Sequence, residues 1–69
     1  MKLYVKSGEL ERYVQTNSYL DAANIALSDS HGETLDEYVY VDERGFRTIK
    51  NKPEMCFLLV DLIKVIGND

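Results

Sequence analysis

Apolar and polar positions alternate over two short stretches at the start of the chain. Leu3 and Val5 share one face of residues 2–6, with Tyr4 on the other. Residues 10–15 resume the pattern with Leu10, Tyr13 and Val14. Ser7-Gly8 between them is a good two-residue turn, because glycine takes a positive φ at no steric cost. The pattern predicts a β-hairpin of residues 2–6 and 10–15.

The period changes after Thr16-Asn17-Ser18. Leu20, Ala23 and Leu27 recur at helical spacing, flanked by Tyr19, Ala22 and Ala26, while Asp21, Asn24 and Ser28 fall opposite. Ser18 with Asp21 approximates a capping box, Asp replacing the usual Glu or Gln. Ile25 on the polar side breaks the pattern. His31 and Gly32 suit the helix C-terminus, and the alanines predict a helix lying close against a sheet. Leu35 is a candidate plug in an otherwise polar 33–37.

Tyr38-Val39-Tyr40-Val41 reads as a strand. Asp42-Glu43-Arg44-Gly45 reads as a turn with Gly45 in the left-handed region, which makes 46–50 the returning strand of a second hairpin. Its preferred register pairs Val39 with Ile49. Val39, Val41 and Ile49 then share one face and Tyr38, Tyr40 and Phe46 the other. Met55 to Val60, six apolar residues in a row, reads as a buried central strand over 55–58. A short helix over 60–66 follows, closed by Gly67, with Asp61 and Lys64 as a solvated pair. Pro53 and Gly67 would equally bound one helix over 53–66. The expected fold is α+β, two layers in the order β-β-α-β-β-β-α, an antiparallel sheet with helices packed on one face.

Sixty-nine residues allow one small domain, expected over 1–69. Leu, Ile, Val and Phe make 20 of the 69, about 29%, too many for a disordered chain. One Cys excludes an intrachain disulfide, and with one His as well a structural metal cage is close to excluded. No apolar run approaches the ~20 residues a membrane span needs. Lys2, Lys6 and Glu9 interrupt any secretory leader. The expectation is a soluble cytoplasmic protein without cofactor or metal. Net charge is −4, the wrong sign for a general nucleic-acid binder. The charge is segregated: residues 29–43 hold six acids and no Lys or Arg, and residues 44–52 hold four bases and no acid.

Four stretches carry a resemblance: the opening Lys-Leu-Tyr-Val-Lys-Ser-Gly-Glu-Leu-Glu, Leu20-Asp21-Ala22-Ala23, Tyr40-Val41-Asp42-Glu43-Arg44-Gly45-Phe46, and the apolar end closing at Gly67. Through them the chain resembles small uncharacterised proteins of bacteriophages, especially those of marine cyanobacteria. The resemblance implies a fold of this kind and a viral accessory role in the host cytoplasm. It implies no activity, cofactor or catalytic residue.

Candidate chemistry is sparse. His31 between Asp29 and Glu33 is the one candidate general base or metal ligand, and an exposed helix-end His is the simpler account. Cys56 among apolar neighbours reads as a small core residue. The acids lack the spacing of an EF-hand, and the glycines form no phosphate cradle. A strand pair apolar on both faces remains, and a two-layer domain buries only one of them. If the aliphatic face is inside, Tyr38, Tyr40 and Phe46 are outside, with Arg44 and Arg47 near the tip. Tyr, Phe and Arg are enriched at interfaces and their hot spots. These five are the candidate partner-binding set, for another protein or a second copy. Two alternatives stay open: a nucleic-acid-associated protein using Arg44, Arg47, Lys50 and Lys52, and a small metal-binding protein or enzyme around His31.

Overall fold

The computed structural model describes residues 1–51 and 53–67. Strands β1 (Lys2–Ser7) and β2 (Leu10–Gln15) lead into helix α1 (Tyr19–Ser28), strand β3 (Tyr38–Asp42), helix α2 (Phe46–Asn51), strand β4 (Met55–Leu58) and helix α3 (Leu59–Gly67). The strands form one antiparallel sheet in the order β2-β1-β3-β4. The fold is α+β, as the sequence pattern requires.

Alternation sorts the side chains of each strand onto two faces. Leu3, Val5, Leu10, Val39 and Val41 lie on one face and are fully buried. Each such side chain contributes roughly 1.5–3 kcal/mol relative to exposure. Above them sit Ala22, Ala23 and Ala26 of α1 and Leu62 of α3. Only methyl-sized side chains let α1 come this close, so its buried face is alanine. Leu20, on the expected stripe, is instead 44% exposed, and Asn24 is half-buried rather than in water. Ser18 caps α1 by accepting from the Asp21 amide at 3.2 Å. The helix stops at Ser28 with Asp29 as its cap, so His31 lies outside it. Leu35 packs against the core from the following loop.

The second hairpin is the main departure from the expected order. Residues 46–51 form a helix rather than a returning strand. β3 is hydrogen-bonded to β1 on one side and β4 on the other, which leaves a strand at 46–50 no edge of β3 to pair with. A helical turn instead brings Phe46 and Ile49 to the same side. Phe46 meets the Tyr4 ring edge-on at 5.1 Å, and Ile49 is only 4% exposed, near Lys6 and Tyr40. Tyr4, Lys6 and Tyr40 belong to the face opposite Leu3 and Val5. So α2 covers the second face, while α1 and α3 cover the first. Gly45 has the expected positive φ, 128°, but it opens a helix: its carbonyl accepts from the Ile49 amide at 3.3 Å.

The C-terminal third divides into the strand and short helix expected of it. β4, however, is an edge strand rather than a central one. Cys56 is accordingly exposed, not a core residue; its side chain falls on the second face, beyond the reach of α1 and α3. The Lys64 side chain, expected to pair with Asp61, lies outside the described residues.

Candidate functional site at the open edge of the sheet

Two hydrogen bonds set the phase of the strand ladders. Leu59 N–H donates to the Glu37 carbonyl at 2.9 Å, and Thr16 N–H to the Met1 carbonyl at 2.8 Å. Bonded and non-bonded pairs alternate along antiparallel strands. Counting from Leu59–Glu37 through the register makes Phe57–Val39 and Met55–Val41 the bonded pairs of β4 with β3. Cys56 therefore turns its N–H and C=O groups outward and Leu58 its N–H, the Leu58 carbonyl being the one that opens α3. No strand among the described residues lies beyond them. Counting from Thr16–Met1 turns Glu11, Tyr13 and Gln15 outward along β2, the opposite edge.

The two edges differ in chemistry. Along β2, Glu11 is paired with Lys6 at 2.8 Å. Arg12 bonds Asp29 at 3.1 Å and Glu33 at 2.6 Å, which ties the loop after α1 to that strand. Glu33 also accepts from the His31 amide at 2.6 Å. That backbone bond, then the Arg12 bond, hold the Glu33 carboxyl far below the usual range, to about 2. Charged groups of this kind blunt an edge against unwanted strands. β4 is Met55-Cys56-Phe57-Leu58 and has no charge at all. Its own Met55 and Leu58 are exposed, as are Tyr38 on β3 and Val60 and Ile63 on α3, the last two at 56% and 52%.

A polar brace fixes where β4 starts. Asp42 is fully buried. Its carboxylate accepts from the Arg44 amide (2.6 Å), the Arg44 guanidinium (2.9 and 3.2 Å) and the Glu54 amide (3.1 Å). Burial pushes its pKa up, but these bonds outweigh burial and the net displacement is downward. Glu54 in turn accepts from the Tyr19 hydroxyl at 3.2 Å and the Glu43 amide at 3.1 Å. The sequence pattern puts Asp42 at the start of a turn. The aspartate two residues before Arg44 is the local signal of this side-chain-closed turn, but the bond to Glu54 is long-range.

The second face is aromatic and basic toward β2 and apolar toward β4. Tyr4 and Tyr13 sit 6.3 Å apart, with the Lys2 ammonium 4.5 Å from the Tyr13 ring. Tyr38 and Tyr40 are 6.2 Å apart, opposite Leu58 and Cys56 respectively. A cavity of about 260 Å³ lies between Lys6, Gly8, Asp36, Tyr40 and Ile49. Burial raises the pKa of Tyr40 and also that of Cys56.

The five residues expected at one hairpin tip are divided by the fold. Tyr38 and Tyr40 are together on β3, next to β4. Phe46 and exposed Arg47 are on α2, and Arg44 is held by Asp42 in the link between β3 and α2. Of the other bases, Lys52 and the Lys50 side chain lie outside the described residues. His31 is exposed, its Nε2 3.7 Å from Asp29. Among the described residues, no group of three His, Cys, Asp or Glu side chains is placed to hold a metal ion. Nor is any described helix long and apolar enough to cross a membrane.

No family model, curated protein or solved structure matches this chain.

Proposed function

We propose that this chain is a non-enzymatic accessory protein that binds a protein partner at the β4 end of its sheet. The observation that carries the reading is the contrast between edges. β2 is guarded by Glu11, Arg12 and the tethered loop, while β4 presents the outward backbone of Cys56 and Leu58 without one charge. An open edge of this kind takes an added strand, the backbone supplying affinity and alternate side chains specificity. Tyr38 and Tyr40, in the strand alongside, extend the surface onto the second face. Arg44 is engaged by Asp42, and Phe46 is packed on Tyr4.

The test is panning of a random-peptide display library on the wild-type chain and on Cys56→Pro. Proline there removes an outward N–H and no bond to β3. Extended apolar peptides enriched on the wild type alone support the reading. Equal enrichment on both, or none, overturns it.

A further inference from the structure

We propose that α2 is a lid, which lifts off the second face of the sheet while Asp42 keeps the base of its loop closed. The proposal goes beyond the edge-docking reading and does not depend on it.

Strand register makes α2 an excursion with a narrow base. β3 and β4 are adjacent, with Val41 opposite Met55. The chain leaves the sheet after Asp42 and rejoins it after Glu54. Asp42 belongs to β3 and stands opposite Tyr4 of β1, so it is anchored on the sheet. Its buried carboxylate accepts from the Arg44 amide on the outgoing side and from the Glu54 amide on the returning side. The Arg44 guanidinium adds two further bonds. One side chain therefore ties both ends of the loop to each other and to the sheet. Bonds to an ionised acceptor are roughly twice as strong as those between neutral groups.

The helix itself is held less firmly. Of its described side chains, Ile49 is buried and Phe46 half-buried, while Arg47 is exposed. Phe46 touches Tyr4 edge-on. Ile49 lines the cavity of about 260 Å³ together with Lys6, Gly8, Asp36 and Tyr40. Toward that space it has no atoms to pack on, and the corresponding dispersion is lost. Six residues are too few for a helix to persist alone, and the Ile49 amide reaches the Gly45 carbonyl over a long 3.3 Å. A lifted α2 therefore unwinds. Gly45, next to the clasped Arg44, supplies the hinge. Its φ is 128° and nothing lies within 4 Å of the place a Cβ would take, so it can absorb a large change in backbone angles.

These contacts rank the two ways the loop can open. Opening the base strips a buried carboxylate of its donors and frees the start of β4. Lifting the helix gives up one ring edge and one aliphatic side chain beside a void. The second costs less, so α2 leaves first, as a local opening of the native state. Tyr4, Lys6 and Tyr40 are then uncovered while β4 stays paired.

Native-state amide exchange measured by nuclear magnetic resonance tests the lid. Corrected for intrinsic rates, the Ile49 amide is expected to exchange at least about tenfold faster than those of Glu54 and Val41. Phe46→Ala should speed Ile49 exchange by a further tenfold or about that, the worth of the lost ring contact. Ile49→Val should speed exchange at residue 49 by about threefold and keeps the test alive if Phe46→Ala fails to fold, which circular dichroism checks. In both variants the Glu54, Val41 and Val5 amides should keep their wild-type rates. One common rate for Ile49, Glu54 and Val41, or variants that speed all of these amides equally, would make α2 part of the cooperative core and overturn the lid. Glu54 exchanging together with Ile49, and faster than Val41, would show the base opening as well and overturn Asp42 as its clasp.

Discussion

Gly8→Ala should be among the most damaging single-methyl additions this chain can receive. Gly8 turns the first hairpin with φ +59°, and the polypeptide between α1 and β3 passes directly over it. A Cβ there would stand 2.3 Å from the Thr34 carbonyl oxygen and 3.1 Å from both the Asp36 nitrogen and the Leu35 carbonyl carbon. All three are backbone atoms, so no side-chain rotation relieves the overlap. Three costs follow. Left-handed backbone for a residue with a Cβ is about 1–2 kcal/mol. Displacing residues 34–36 strains or breaks the Glu9 N–H bond to the Thr34 carbonyl, 2.8 Å long, at about 1 kcal/mol. Forcing a methyl into filled space adds about 1–3 kcal/mol. The sum, about 3–6 kcal/mol, is a large part of the roughly 3–10 kcal/mol expected for a chain of this length. Gly32→Ala is the control. Gly32 also has a positive φ, 89°, but nothing lies within 4 Å of its added Cβ, so only backbone strain applies. Urea unfolding followed by circular dichroism compares the two. Equal midpoints would refute the close approach of residues 34–36 to the first turn.

Two further outcomes follow from the charged and thiol groups. Glu33 has a folded pKa lowered to about 2 from an ordinary 4.5, so its contribution to stability is complete above about pH 4.5 and is lost as pH falls toward 2; Glu33→Gln should flatten the acid limb of the unfolding midpoint between those values, and an unchanged limb would count against the Arg12–Glu33 tether. Cys56 is exposed yet has a raised pKa from partial desolvation, so a thiol reagent should label it in the native protein, slowly at neutral pH and faster as pH climbs past the ordinary cysteine range; labelling only after denaturation would return Cys56 to the core.

Much of the fold is written locally. The first hairpin, the Ser18 cap and the alanine face of α1 follow from short-range alternation, capping and periodicity. So do β3 and the passage from β4 to α3. Each depends on interactions within a few residues, which a single sequence displays. Where the first turn lies is a finer matter: Ser7 belongs to the strand, and its hydroxyl donates to the Tyr38 carbonyl at 2.9 Å and accepts from the Asp36 amide at 3.0 Å. Those partners, about thirty residues away, are invisible to local pattern.

Tertiary structure decided the rest. Residues 46–50 contain Phe46, Thr48 and Ile49, all favoured in sheets, although Phe46 and Ile49 stand three apart, a helical rather than an alternating spacing. Strand propensity is expressed only where an edge is free. With β1 and β4 occupying both sides of β3, the segment gains more by placing Phe46 and Ile49, one helical turn apart, against Tyr4 and the second face. The same competition sends Met55–Leu58 to the outside of the sheet despite its apolar run. The candidate site shares that origin. Tyr38 and Tyr40 are legible as an aromatic pair, but an open edge is a property of strand order, and strand order is set by long-range pairing.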